Sequence, residues 1–176
     1  MKTTQLILGG ARSGKSRFAE QTATDIAHSD NRAVVYVATA QAGDDEMAQR
    51  IEHHRRNRSE EWLCVEEPIH LAQALIAIAK QDPKAVILVD CLTLWVTNCL
   101  LHDGDIWHEE KQKLIDCLEQ LAQPVVLVSN EVGHGIVPMG QLSRRFVDES
   151  GWLHQDIAAK ASHVTLVVAG FPLVLK

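Results

Sequence analysis

Leu6-Ile-Leu-Gly-Gly-Ala-Arg-Ser-Gly-Lys-Ser-Arg-Phe18 is the stretch on which the reading of the whole chain turns. Gly9 through Ser16 spell G-x-x-x-x-G-K-[ST], directly after an apolar run and directly before a helix-forming segment. Strand, glycine loop, helix is the context in which this pattern holds phosphate. Gly9 and Gly14 let the backbone bend until successive N–H groups face one anion. Lys15 reaches the β/γ oxygens, Ser16 offers a hydroxyl to Mg²⁺, and the helix start adds its positive end. The expected phosphate-binding set is therefore Gly9, Gly10, Ala11, Arg12, Ser13, Gly14, Lys15 and Ser16.

Outward from this loop, short apolar runs alternate with longer helical patterns. Runs at 5–10, 33–40, 62–66, 85–90, 124–129 and 163–170 are rich in Val, Ile and Leu. Several show almost no polar alternation, as expected of parallel strands covered on both faces. Helices are expected over 15–28, 44–58, 69–80, 107–122 and 141–161. Leu71, Ala74, Leu75 and Ile78 keep helical spacing, as do Leu114, Leu118 and Leu121. The alternation predicts one doubly wound α/β domain over residues 1–176; taken with the phosphate loop, its expected class is the P-loop NTPase type, RecA-like. Its sheet is expected to be mostly parallel, with helices on both faces.

Composition narrows the partners. The 176 residues carry 17 Lys+Arg against 23 Asp+Glu, a net charge of −6. A broad grip on nucleic acid needs a basic surplus, so that class is set aside. A single small anion is not, because backbone amides act locally. Seven of the 17 basic residues fall in two segments: Arg12, Lys15 and Arg17, then Arg50, Arg55, Arg56 and Arg58. No run approaches the roughly 20 apolar residues that span a bilayer. The apolar stretch near Met1 is too short for a signal-peptide core. Cys64, Cys91, Cys99 and Cys117 form no C-x-x-C pair and read as reduced thiols of a cytoplasmic protein.

A phosphate loop needs an acid for its metal. Ala85-Val-Ile-Leu-Val-Asp90 is an apolar strand ending in a carboxylate, and Asp90 with Ser16 forms the expected Mg²⁺ pair. A helix N-cap before residues 93–101 is the other reading of Asp90. No guanine-reading Asn-Lys-x-Asp follows the 124–129 run, which favours a kinase or related transferase over a regulatory GTPase. In 44–58, acids open the segment and bases close it, as suits a helix dipole. His54 borders the apolar stripe of Met47 and Ile51, with Arg50 and Arg58 one turn away on either side. It reads either as an imidazole nucleophile among cations or as a boundary histidine. Residues 132–138 form a glycine-containing loop after a strand, where α/β sheets bind ligands, with Asn130 and Glu131 at its start. Arg144, Arg145 and Asp148 read as surface ion-pair formers.

These segments together resemble the bifunctional adenosylcobinamide kinase/adenosylcobinamide-phosphate guanylyltransferases of cobalamin biosynthesis. The resemblance runs through Gly9–Ser16, Tyr36-Val-Ala-Thr-Ala40, Asp45 to Arg55, Trp62 with Glu66-Glu-Pro68, and Val89 to Asn98. It continues through Val128 to Pro138, Arg145-Phe-Val-Asp148 and Ala169-Gly-Phe-Pro172. It implies phosphorylation of adenosylcobinamide by ATP or GTP. A second step then transfers GMP from GTP to adenosylcobinamide-phosphate, giving adenosylcobinamide-GDP and pyrophosphate. The family's R-I-x-x-H-R pattern puts the guanylyl-histidine on His54. Lys15, Ser16 and Asp90 then serve the triphosphate and Mg²⁺, while Thr39, Ala40, Arg55, Arg56, Asn57, Arg58 and Glu66 contact the nucleotide. A homotrimer is the assembly the resemblance implies. Surrounding cations fit the chemistry, since they favour a neutral imidazole and stabilise the departing pyrophosphate. One departure is visible: the family's G-x-x-N-Q here reads Gly151-Trp-Leu-His-Gln155, with His154 in place of Asn. The alternative reading is a monofunctional small-molecule kinase with no covalent GMP intermediate.

Overall fold

The apolar runs pair into one seven-stranded sheet in a computed structural model that describes residues 3–41 and 61–176. The elements are β1 (Thr4–Gly9), α1 (Lys15–Asp30), β2 (Val34–Ala38), β3 (Leu63–Glu66), α2 (Leu71–Gln81) and β4 (Val86–Asp90). They continue with α3 (Leu92–Leu101), α4 (Trp107–Gln120), β5 (Val125–Asn130), α5 (Gln141–Lys160), β6 (His163–Val168) and β7 (Phe171–Val174). The expected helix over 44–58 lies outside the described residues, and with it His54, Arg55, Arg56, Asn57 and Arg58.

Strand order is β3-β2-β4-β5-β1-β6-β7. All neighbours pair in parallel except β6 and β7, which form an antiparallel edge. Period-2 alternation divides the strand side chains between two cores. Leu6, Val35, Val37, Ile87, Val89, Val125 and Leu127 face one side and pack with residues of α2, α3, α4 and α5. Ile7, Val34, Tyr36, Val86, Leu88, Val126 and Val128 face the other side and pack with α1. The helices thus cover both faces, unequally among the described residues. On α1 the buried residues are Ala19, Ala23 and Ala27, four apart, so the helix after the phosphate loop lies close on the sheet.

The two expected leucine stripes are internal: Leu71, Leu75 and Ile78 are buried on α2, and Leu114 and Leu118 on α4, with Leu121 buried just beyond it. Trp95 and Trp107 are both fully buried and meet edge-on at 5.3 Å, with the Trp95 indole N–H donating to the Ile69 carbonyl at 2.7 Å. No disulfide links the four cysteines. Among the described residues, no helix is long and apolar enough to cross a membrane.

Two features depart from the sequence reading. β7 has no counterpart among the expected strands; it follows a turn made by Ala169 and Gly170, both at positive φ. Asp90 closes β4, and Cys91 occupies the N-cap position of α3, so the N-cap reading of Asp90 does not hold.

Candidate active site

The glycine loop lies at the carboxyl end of β1, between the ends of β5 and β6. Gly14 sits at φ 92° as the N-cap of α1, with no side chain capping the helix, so the first N–H groups are left for a ligand. The loop is braced from both sides. Glu131 N–H donates to the Gly9 carbonyl at 3.1 Å, and Gly170 N–H donates to the Ser13 carbonyl at 2.8 Å. The second contact gives the Ala169-Gly170 turn a physical role: it holds the phosphate loop from the β6 side. Lys15 folds back over its own loop, with Nζ donating to the Gly10 carbonyl at 3.3 Å.

Gly9 is required by space rather than by φ. A Cβ there would sit 2.7 Å from the Val167 carbonyl oxygen and 2.4 Å from Ser13 Oγ. Val167 is its register partner in β6, so that carbonyl cannot move without opening the sheet. Gly9→Ala is expected to cost roughly 1–3 kcal/mol from overpacking. Chemical denaturation would read this as a lowered midpoint at unchanged slope; a midpoint equal to that of the parent would contradict the crowding.

Asp90 ends β4 in register with Ala38 of β2 and Val128 of β5, half-buried at the same sheet edge as the loop. β5 lies between the strand of the loop and the strand of the acid. Cys91 senses both charged residues. Burial and the Asp90 carboxylate push its thiol up to about 11, and Lys15 pulls weakly the other way. The thiol therefore stays protonated and is no nucleophile at neutral pH. Ser16 and Asp90 fit Mg²⁺ by donor chemistry: both are hard oxygens, from a hydroxyl and a carboxylate. No cluster of three or more His, Cys, Asp or Glu stands ready as a cage among the described residues. Mg²⁺ keeps several waters and takes phosphate oxygens, so one acid and one hydroxyl suit it.

Of the other expected nucleotide contacts, Ala40 is half-buried just past β2 and Glu66 is exposed at the end of β3, on the neighbouring strand. Thr39 behaves differently. It is fully buried, its hydroxyl donates to the Cys91 carbonyl at 2.7 Å, and it accepts the Cys91 N–H at 2.9 Å. In this conformation Thr39 joins β2 to the β4–α3 junction and offers no surface to a nucleotide.

Sequence reasoning missed the polar network beneath this edge. Asn98 of α3 donates to the carbonyls of Thr39 (2.8 Å) and Pro68 (3.1 Å). Asn130 donates to Thr93 Oγ1 at 2.8 Å, and that oxygen lies 3.2 Å from Cys91 Sγ. Asn98 satisfies backbone carbonyls where the chain leaves β2 and enters α2, and the Asn130–Thr93 bond ties the end of β5 to the start of α3. A signal was present: Asn98 is a lone amide in the apolar run of α3. Arg145 pairs with Asp105 at 2.8 Å, the surface ion pair expected of it.

A phosphate loop, a strand-end acid and this order of strands identify the P-loop NTPase fold. Two solved structures share it: an ATPase domain (TM-score 0.54, 16% identity, 94% of this chain and 69% of that one) and a KaiC-like protein of Pyrococcus horikoshii (TM-score 0.55, 15% identity, 94% and 70%). At those identities they speak to the fold alone. A family model described as cobinamide kinase / cobinamide phosphate guanyltransferase matches residues 5–175. The chain belongs to that family. Its relatives include the bifunctional adenosylcobalamin biosynthesis protein CobP of Pseudomonas aeruginosa, 52% identical over 97% of this chain and 96% of that one. The CobU proteins of the same description from Escherichia coli and Salmonella typhimurium are 43% and 40% identical, each over 97% of this chain and 98% of theirs.

Proposed function

We propose that this P-loop domain carries out two successive steps on a cobinamide. In the first, the hydroxyl of the aminopropanol arm of adenosylcobinamide attacks the γ-phosphorus of ATP or GTP, releasing the nucleoside diphosphate. In the second, His54 attacks the α-phosphorus of GTP and releases pyrophosphate. The phosphate of adenosylcobinamide-phosphate then takes GMP from the imidazole, giving adenosylcobinamide-GDP and the free histidine. The observation that carries this reading is the match to a family of both activities along nearly the whole chain, with the phosphate loop intact.

The roles follow from chemistry. Loop amides between Gly9 and Ser16 and the start of α1 bind the phosphates, and Lys15 neutralises charge that builds on them in the transition state. Ser16 and Asp90 would hold Mg²⁺, which supplies Lewis-acid charge to the phosphate oxygens when bound. Arg55, Arg56, Asn57 and Arg58, with Ala40 and Glu66, would form the remaining nucleotide contacts. A homo-oligomer, a trimer by family resemblance, and a cytoplasmic setting belong to the same reading. The apolar edge strand β7, with Phe171, Leu173 and Val174 exposed, is a surface that assembly would cover.

Supplying adenosylcobinamide and ATP should give the phosphate. Adding GTP should then give adenosylcobinamide-GDP with one pyrophosphate per product. Kinase activity with no GMP transfer would favour the monofunctional reading; neither activity would sink both.

A further inference from the structure

A buried polar contact behind the loop after β5 is left unassigned by these two steps. His154 lies on α5 with its side chain almost wholly buried. Its Nε2 is 2.7 Å from Ser129 Oγ, and its Nδ1 is 3.9 Å from Glu131 Oε2. Glu131 reaches three parts of the site. Its N–H donates to the Gly9 carbonyl, its Oε1 accepts the Gly133 N–H at 2.8 Å, and its Oε2 faces the imidazole. One residue therefore links the end of the phosphate-loop strand, the 131–138 loop and α5.

The order Ser, His, Glu looks like a nucleophilic triad, but Ser129 is fully buried on β5 and cannot meet a substrate. The group is suited to hold, not to react. Either ring tautomer satisfies the 2.7 Å contact with Ser129 Oγ, and at 3.9 Å the Nδ1–Oε2 contact is longer than a hydrogen bond. A proton on Nδ1 is the arrangement that turns the ring's positive edge to the carboxylate and leaves Nε2 to accept the Ser129 hydroxyl. Burial draws His154 below the usual histidine range, with Glu131 opposing, so the neutral form prevails at pH 7.

We propose that His154 is a positioning residue: its bond to Ser129 ties the end of β5 to α5, its Nδ1–H orients the Glu131 carboxylate, and the two together set the 131–138 loop beside the phosphate loop, against which the phosphate acceptor docks. The identity of that acceptor rests on the kinase–transferase reading; the contact itself does not.

Steady-state kinase assays with adenosylcobinamide and ATP separate this role from a purely structural one. His154→Ala should raise the KM for adenosylcobinamide about tenfold or more, from a displaced acceptor, with the ATP KM little changed. His154→Asn should recover most of this, since an amide can accept from Ser129 and donate toward Glu131. Glu131→Gln should show the same split, and the double variant should be no worse than the worse single. Equal loss in both KM values, failure of His154→Asn to rescue, or multiplicative losses would overturn the proposal. If His154→Ala does not fold, ¹⁵N shifts of the His154 ring in the parent protein decide instead. An Nδ1-protonated neutral ring at pH 7, titrating lower still in Glu131→Gln, supports it; an Nε2-protonated ring, or one indifferent to Glu131→Gln, overturns it. A parent protein inactive on adenosylcobinamide sinks the functional reading, and the ring spectrum still judges His154.

Discussion

Lys15→Ala is expected to lower kcat/KM by roughly 10²–10³-fold in both phosphoryl and guanylyl transfer, the scale of losing one preorganised charge donor. On the proposed mechanism both steps break a bond to phosphorus in a nucleoside triphosphate, and Lys15 is the loop cation assigned to its phosphates. Its Nζ rests on the Gly10 carbonyl, a neutral acceptor that a phosphate oxygen can displace. The residue opens α1, and alanine is the best helix former, so the fold should survive with a near-parental thermal midpoint. Lys15→Arg should rescue poorly, because a planar guanidinium does not fill the place of a point charge inside a tight loop. Full kinase activity in Lys15→Ala would remove the loop from the mechanism.

His54→Ala should split the two activities. GMP transfer should fall on the order of 10⁴-fold or more, the cost of removing a covalent nucleophile. Phosphorylation of adenosylcobinamide should continue within a few-fold, since that step passes from γ-phosphate to hydroxyl with no imidazole between. His53 beside it serves as control: the R-I-x-x-H-R pattern of the family falls on His54 and not on His53. His53→Ala should therefore retain both activities. Equal loss of kinase and transferase in His54→Ala would make His54 a nucleotide-binding residue shared by both steps and remove it as the covalent nucleophile.

The parts of this molecule legible in its sequence are those where one physical constraint dominates. β1, β4 and β5 read as strands because a strand covered on both faces must be apolar at nearly every position. The phosphate loop was legible because its spacing has few other uses, and Gly9, crowded by the Val167 carbonyl, has a spatial need for glycine. β7 was illegible: it is four residues long, contains Pro172, and is ordered by pairing with β6 rather than by its own pattern. α3 was half-legible, because a helix apolar around most of its circumference has no stripe to detect. Which face each helix covers depends on crossover packing that local periodicity does not encode. In the candidate site, Lys15 and Asp90 stand out by motif and strand-end position, whereas Thr39, a nucleotide contact only by family resemblance, is buried in a backbone-satisfying network. His154 was visible only as a departure from the family pattern; its partners, Ser129 and Glu131, needed the fold.

Guanylylation of His54 can be read from the labelled protein itself. The protein is incubated with Mg²⁺ and GTP labelled at the α-phosphate, denatured, digested, and the labelled peptide sequenced. Label on His54, stable to alkali and lost in acid, with none transferred from γ-labelled GTP, is the predicted result. Formation of adenosylcobinamide-GDP with no labelled protein, or with label on any other residue, would contradict it.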